Sequence, residues 1–462
     1  MMDTIREPAR DLPVIEQADV VVAGGGPGGF AAAVASARNG ANTVLLERHG
    51  YLGGMATAGL VAPILGVHSS KGKAVIVEGI LKELTERMQE IDGAPPWNEI
   101  EEGKPLRFDP EALKRAAEDL VQEAGATLYY HTFVTDTVVE DNRIQALITE
   151  SKSGRQAVSG SVVIDATGDA DVAFRAGVHC EKGRSFDGAV QSLGSFFHVF
   201  GIPEYDEKLY EKIRETVKQG MEEKKLFGYN PGITSSTKYH GNMFSPNMTR
   251  AAGDSTNVKD LTRAEITLRK QAWDLVEYIK KEVPGCENCY IELTSPQAAP
   301  RESRQVMGDY VITGEDIQKG RKFDDGIARG SWWIDIHCPL GHTFPVHLCV
   351  KECPRGDECP FWAAEHDTGM IAREDLYPPE EDWYDIPFRS ITPKGISNLL
   401  ISGRCISATH EAMAGTRVMG TCMAIGQAAG TAAALAAGSD TDPKDLDTGM
   451  LREKLASQGA LV

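Results

Sequence analysis

Apolar and polar positions alternate with a changing period along this 462-residue chain. Near the start, Asp19-Val20-Val21-Val22-Ala23 reads as a β-branched strand, the run after Gly29 as an Ala-rich helix, and Thr43-Val44-Leu45-Leu46 as a second strand. Helices with polar outer faces are predicted over Lys82–Gln89 and Glu111–Gln122, the second opened by Asp109-Pro110 as N-cap and first helical residue. From Thr127 to Val163 the pattern switches to a period of two around turns at Asp141-Asn142 and Ser153-Gly154, which predicts a β-meander. Two long helical segments follow, Glu204–Lys225 and Asp260–Lys281, the first charged enough to present a solvated face. The order of elements indicates an α/β fold.

Chemistry enters between the first two strands. Gly24-Gly25-Gly26-Pro27-Gly28-Gly29 follows the first strand and opens the helix, and Glu47 closes the second strand. Gly24 permits a tight turn, Gly26 lets backbone approach a pyrophosphate, and Gly29 lets the helix pack closely on the sheet. The helix N-terminus offers N–H groups to phosphates, and Glu47 can accept both ribose hydroxyls. This combination predicts an adenine-dinucleotide site, with Pro27 and Gly28 in the same turn.

A second glycine loop follows Glu47: Arg48-His49-Gly50-Tyr51-Leu52-Gly53-Gly54-Met55-Ala56-Thr57. It resembles the flavoprotein superfamily that includes glutathione reductase and the fumarate reductase flavoprotein. Val162-Val163-Ile164-Asp165-Ala166-Thr167-Gly168-Asp169 resembles its ATG strand end, and Asn398 to Ser407, with Gly403-Arg404, its C-terminal strand and turn. Thr409 to Gly430 is most similar to the bacterial FAD-dependent oxidoreductase family. The resemblance covers roughly residues 19–180 and 291–436. It implies FAD, a Rossmann-like GR2-type FAD-binding domain with an inserted cap domain, and cofactor contacts from Arg48, Gly53, Gly54, Met55, Thr57, Val134, Ala166, Thr167, Gly168, Gly403 and Arg404. It also implies that Gly420-Thr421-Cys422, ahead of an apolar helix Met423–Ala436, aims a positive helix end at the flavin. Cys405 and Cys422 read as packing cysteines rather than a redox pair. The expected domains are 1–180 (FAD-binding, first part), 181–337 (cap), 338–384 (Cys-rich insertion) and 385–462 (FAD-binding, C-terminal part).

The formal charge, 48 basic against 67 acidic residues or −19, argues against nucleic acid or an anionic membrane surface as partner. The first residues lack an apolar leader pattern, and the Ala-rich stretch 422–437 is interrupted by Gly426, Gln427 and Gly430. A cytoplasmic protein is expected, its nine cysteines reduced or metal-bound.

No second GxGxxG lies between residues 181 and 384, so a dedicated NAD(P)H domain is not expected. Hydride would pass directly between flavin and a small organic substrate under the cap; oxygen, a quinone, a ferredoxin or a diffusing nicotinamide remain as second electron partners. Such chemistry needs a cation and a proton-moving group. Candidates are Arg301 and Arg304 in Arg301-Glu302-Ser303-Arg304, where alternation in an extended segment puts Arg301 and Ser303 on one face and Glu302 and Arg304 on the other, and His410 with Arg417. Each arginine could equally serve a structural salt bridge. His240 and the cap aromatics Phe196, Phe197, Phe227, Tyr229, Tyr239 and Phe244 are secondary candidates.

Cys338, Cys349, Cys353 and Cys359 fall close together, with His337, His342, His347 and His366 nearby. They suggest a tetrahedral zinc or an iron–sulfur site; four unlinked thiols are the alternative. Cys286 and Cys289 could join that cluster or nothing. If iron–sulfur, the chain would be an electron-transfer subunit with a protein partner; a non-catalytic flavin sensor is a third reading. A homo-oligomer is compatible with the sequence.

Overall fold

The computed structural model describes residues 4–185, 187–203, 207–226, 243–341, 349–353, 359 and 371–462. A seven-stranded sheet forms the centre. Five of its strands are parallel, in the order Thr127–Tyr129, Thr43–Leu46, Val14–Ala23, Gly154–Asp165, Leu399–Ile401. The register aligns Val20 with Thr43 on one side and with Val162 on the other, which brings Ala23, Leu46 and Asp165 to the same sheet edge. Val20–Ala23 and Val44–Leu46 are buried on both faces, which is why their sequence is continuously apolar.

The meander extends this sheet antiparallel through Phe133–Glu140, Arg143–Ser151 and the start of Gly154–Asp165. Its first turn falls at Asp141-Asn142, both at positive φ, the geometry of a tight hairpin. Thr127–Tyr129 belongs instead to the parallel set. The helices Ile80–Glu90 and Pro110–Glu123 form as expected, and the Asp109 side chain accepts from the Glu111 N–H.

The first helix, Pro27–Arg38, lies between the sheet and a long closing helix, Met419–Ser439. Both are almost wholly buried and rich in Ala and Gly, so their backbones approach closely. A Cβ built on Gly430 would sit 2.1 Å from the Ala32 carbonyl oxygen. Gly430→Val should therefore force the helices apart and cost about 1–3 kcal/mol or more. Thermal unfolding of the variant checks it; an unchanged midpoint would mean the pair tolerates separation. Among the described residues, no single helix is long and apolar enough to cross a membrane; the bent pair His410–Thr416 and Met419–Ser439 passes by composition alone.

A second, smaller core holds the cap: Phe197, Val199, Ile213, Val217, Phe244, Leu275, Ile279, Cys286 and Cys289. It is built from helices Glu207–Glu222 and Val258–Glu282 over the strand pair Phe197–Phe200 and Tyr290–Thr294. The cap is narrower than 181–337, because Val306, Ile312, Ile317, Ile327, Ile334 and Ile336 pack into the main core.

Candidate active site

The edge where Ala23, Leu46 and Asp165 end carries a narrow trough of about 110 Å³. Gly24, Gly26, Pro27, Glu47, Arg48, Gly54, Met55, Val134, Ala166, Thr167 and Arg404 line it, all expected there. Gly24 turns at φ +100°, and a Cβ on Gly29 would lie 1.7 Å from the Gly24 carbonyl oxygen. The turn and the close helix packing thus both require glycine. The Glu47 carboxylate is buried, accepting N–H bonds from Gly25 at 2.6 Å and His49 at 2.7 Å. A carboxylate has further acceptor capacity, which here faces the trough. Arg48 and His49 both reach Gln297.

Several expected cofactor residues brace this trough rather than line it. Gly53 donates its N–H to Gly25, and the Thr57 hydroxyl donates to the Leu52 carbonyl. The Gly168 carbonyl accepts from Arg404 and Ser303. The closing helix starts at Met419, ahead of the expected point, because extended Val418 caps it and accepts the Cys422 N–H. Gly420 donates to the Leu65 carbonyl and Thr421 is fully buried, so Val418, Met419 and Cys422 present this helix end to the interior.

The trough opens into a cavity of about 500 Å³. Gly26, Pro27, Met55, Ala166 and Arg404 line both, so the two form one space. Gly28 and Gly403 also border the cavity. Its apolar walls come from Val61, Leu65, Phe196, Trp332 and Trp333, and its polar groups from Asn247, Arg301, Asp335, His337 and Arg417. This size is in the range of small-ligand sites.

Of the expected catalytic residues, Arg301 and Arg417 line this cavity. Arg301 donates to the Ser192 carbonyl at 2.9 Å, and Arg417 to the Asp335 carbonyl at 3.1 Å. Arg304 does not reach it. Its guanidinium donates to Asp169 and Asp171 and lies over the Phe174 ring, a structural ion pair. Glu302, expected on the same face as Arg304, turns inward to His410 and accepts the Gln191 N–H. His410 does not line the cavity either. It is buried behind it, its Nδ1 2.7 Å from Glu302. Burial lowers the His410 pKa, but the Glu302 charge and hydrogen bond outweigh that, and the net direction is up.

Sequence reasoning missed Asp335 and His337 as site residues. Asp335 and His337 are two positions apart beside a tight turn in which the Ile336 N–H donates to the Ile334 carbonyl, and both line the cavity. His337 Nε2 is 3.4 Å from Asp335. Burial and the Arg301 charge push the His337 pKa well down, so the imidazole is neutral. Cys422, expected as packing, borders the cavity with a thiol pushed up to about 12 by burial, whereas Cys405 is fully buried. Phe197 and Phe244 belong to the cap core; His240, Phe227, Tyr229 and Tyr239 lie outside the described residues.

The insertion draws its thiols together. Cys349 and Cys353 pack against Cys359, and Arg184 donates to the Cys349 sulfur at 3.2 Å. Burial pushes the Cys349 thiol up to about 12; Arg184 opposes this, and Cys338, Cys353 and Cys359 add to it. Among the described residues, no group of three or more His, Cys, Asp or Glu has an arrangement that could hold a metal. His342, His347 and His366 lie outside the described residues. Cys286 and Cys289 are buried in the cap core and do not join the cluster.

A dinucleotide trough that runs into a cavity lined by apolar walls and buried or partly buried cations is the layout of a dinucleotide-dependent redox enzyme. The chain belongs to the FAD dependent oxidoreductase family, whose model matches residues 19–455. Its cofactor is accordingly FAD, and the trough residues fit it: a glycine cradle, a buried ribose-facing acid, and room continuing past the pyrophosphate position. Thiamine thiazole synthases of Methanococcus are similar in sequence. That of Methanococcus vannielii is 31% identical over 166 residues, covering 34% of this chain and 58% of the relative. The chain thus spans little more than half the length of these curated relatives. Among solved structures, a geranylgeranyl bacteriochlorophyll reductase-like protein of Thermoplasma acidophilum is 12% identical, with TM-score 0.40, covering 96% of this chain and 84% of that one. The flavin-dependent brominase Bmp2 is 13% identical, with TM-score 0.43 and the same coverage.

Proposed function

We propose that this enzyme transfers hydride between a small organic substrate and the flavin, with no nucleotide domain in between. The observation that carries this reading is the residues shared by trough and cavity, with buried Arg301 and partly buried Arg417 in the wall of the second. Bound FAD would supply the hydride-exchanging ring. Glu47 and the Gly24–Gly29 turn would hold its adenosine and pyrophosphate, and Met55, Gly403 and the Val418–Cys422 helix end would border its redox half. Arg301 and Arg417 would orient substrate, Asp335 and His337 would complete the polar wall, and Trp332, Trp333 and Phe196 would exclude water. Anaerobic titration of the purified protein with a metabolite panel tests the proposal. Loss of the oxidised flavin spectrum with one donor is the expected result; a flavin that exchanges electrons with a protein partner and with no metabolite refutes it.

The thiols of Cys349, Cys353 and Cys359 pack together, but no group of three or more His, Cys, Asp or Glu among the described residues has an arrangement that could hold a metal, so the expected zinc or iron–sulfur site is no part of this reading.

A further inference from the structure

Positive charge in the cavity wall exceeds what the wall itself neutralises. Arg301 and Arg250 are buried there or directly behind it, and Arg417, partly buried, lines the wall. Arg250 stands beside Asn247, a wall residue to which its Nη1 donates at 2.7 Å. Its Nε and Nη2, and the Nε of Arg417, have no hydrogen-bond partner among the described residues. Burial is the largest influence on all three guanidinium groups, and each lies in the field of another. Arg301 is held well below its ordinary value by burial, then by Arg250 and Arg417; Arg250 is pushed down to about 10.

Among the described residues, the acid that faces all three is Asp335, 3.6 Å from Arg417. Glu302 and Arg404 also act on Arg417, but each already has a partner, His410 and Asp169 respectively. Among the described residues, three cations thus share one common carboxylate. Unpaired buried charge costs several kcal/mol per ion, and the wall leaves N–H donors unmatched as well. Arg301 and Arg417 line the cavity and not the trough that Glu47 borders.

We infer that the substrate is an organic carboxylate with an apolar or aromatic body. Its carboxylate is received by Arg301 and Arg417 with Arg250 behind them, and its body rests against Trp332, Trp333 and Phe196. The guanidinium fork matches a carboxylate in two parallel bonds, which a neutral amide cannot reproduce. This rests on the hydride-transfer reading and narrows it to a substrate class. The probes are benzoate and phenylacetate, each paired with its primary amide, titrated into the FAD-loaded protein while the visible flavin spectrum is followed. Each carboxylate should bind at least about tenfold more tightly than its amide, and Arg301→Gln and Arg417→Gln should abolish that preference while keeping FAD. The wild-type comparison stands even if a variant fails to fold. Equal binding of acid and amide, no response to either, or a preference that survives both substitutions would overturn the anion assignment. A protein that purifies and reconstitutes without flavin would instead overturn the functional reading beneath it.

Discussion

Glu47→Ala is expected to lose FAD while keeping its fold. The carboxylate is placed to accept two ribose hydroxyls, each charge-assisted bond contributing about 1.5–3 kcal/mol. Removing both should weaken FAD binding at least about a hundredfold. The same carboxylate accepts the Gly25 and His49 N–H groups, so alanine also removes one link between the two glycine loops, leaving the Gly53 N–H to the Gly25 carbonyl. Glu47→Gln keeps an amide oxygen for one of these donors and should fall between the wild type and alanine. Flavin content and FAD titration by fluorescence measure the effect, with far-ultraviolet circular dichroism reporting the fold. Full flavin occupancy in the alanine variant would remove Glu47 from the cofactor site.

The second large effect is expected on stability. Glu302 and His410 form an ion pair in which both side chains are almost fully buried. Removing one partner from such a pair costs about 3–5 kcal/mol, because the other is left uncompensated. Glu302→Ala should therefore shift the urea midpoint strongly downward. The pair also has a pH signature. The folded pKa of His410 is raised above its ordinary 6.5 despite burial, through Glu302. Its contribution is then fully present below about pH 6.5 and is lost as pH rises through the folded value above that. Stability measured across this window should fall with rising pH in the wild type, and the fall attributable to this pair should vanish in Glu302→Gln. An identical slope in both proteins would mean that His410 is neutral in the fold.

How much of this was legible depends on the range of the interactions. The cofactor half of the site was read residue by residue, because its parts are local: a β-branched strand, a glycine turn and an acid at the next strand end act within one βαβ unit. Asp109 as a cap, the Asp141-Asn142 hairpin and both cap helices were legible for the same reason. Arg304 and His410 were not, because a side chain's partner need not lie near it in sequence. Arg304 turned to Asp171 and His410 to Glu302, which is 108 positions away. Arg250 gave no signal at all: an isolated arginine becomes part of a charged wall only when the cap closes over Asn247.

By itself, the sequence determined the α/β class, the dinucleotide turn, the choice of flavin through the second glycine loop, and the apolar strands that carry them. The class, the turn and the strands follow from backbone sterics and periodicity over a few residues; the flavin is what the resemblance of the second loop implies. Only the tertiary structure decided which cations face the cavity and which are spent on salt bridges, where the closing helix begins, and that Cys349 and Cys353 pack against Cys359 while Arg184 reaches Cys349. Those outcomes depend on burial and on the charges of segments hundreds of residues apart, and no local pattern encodes them.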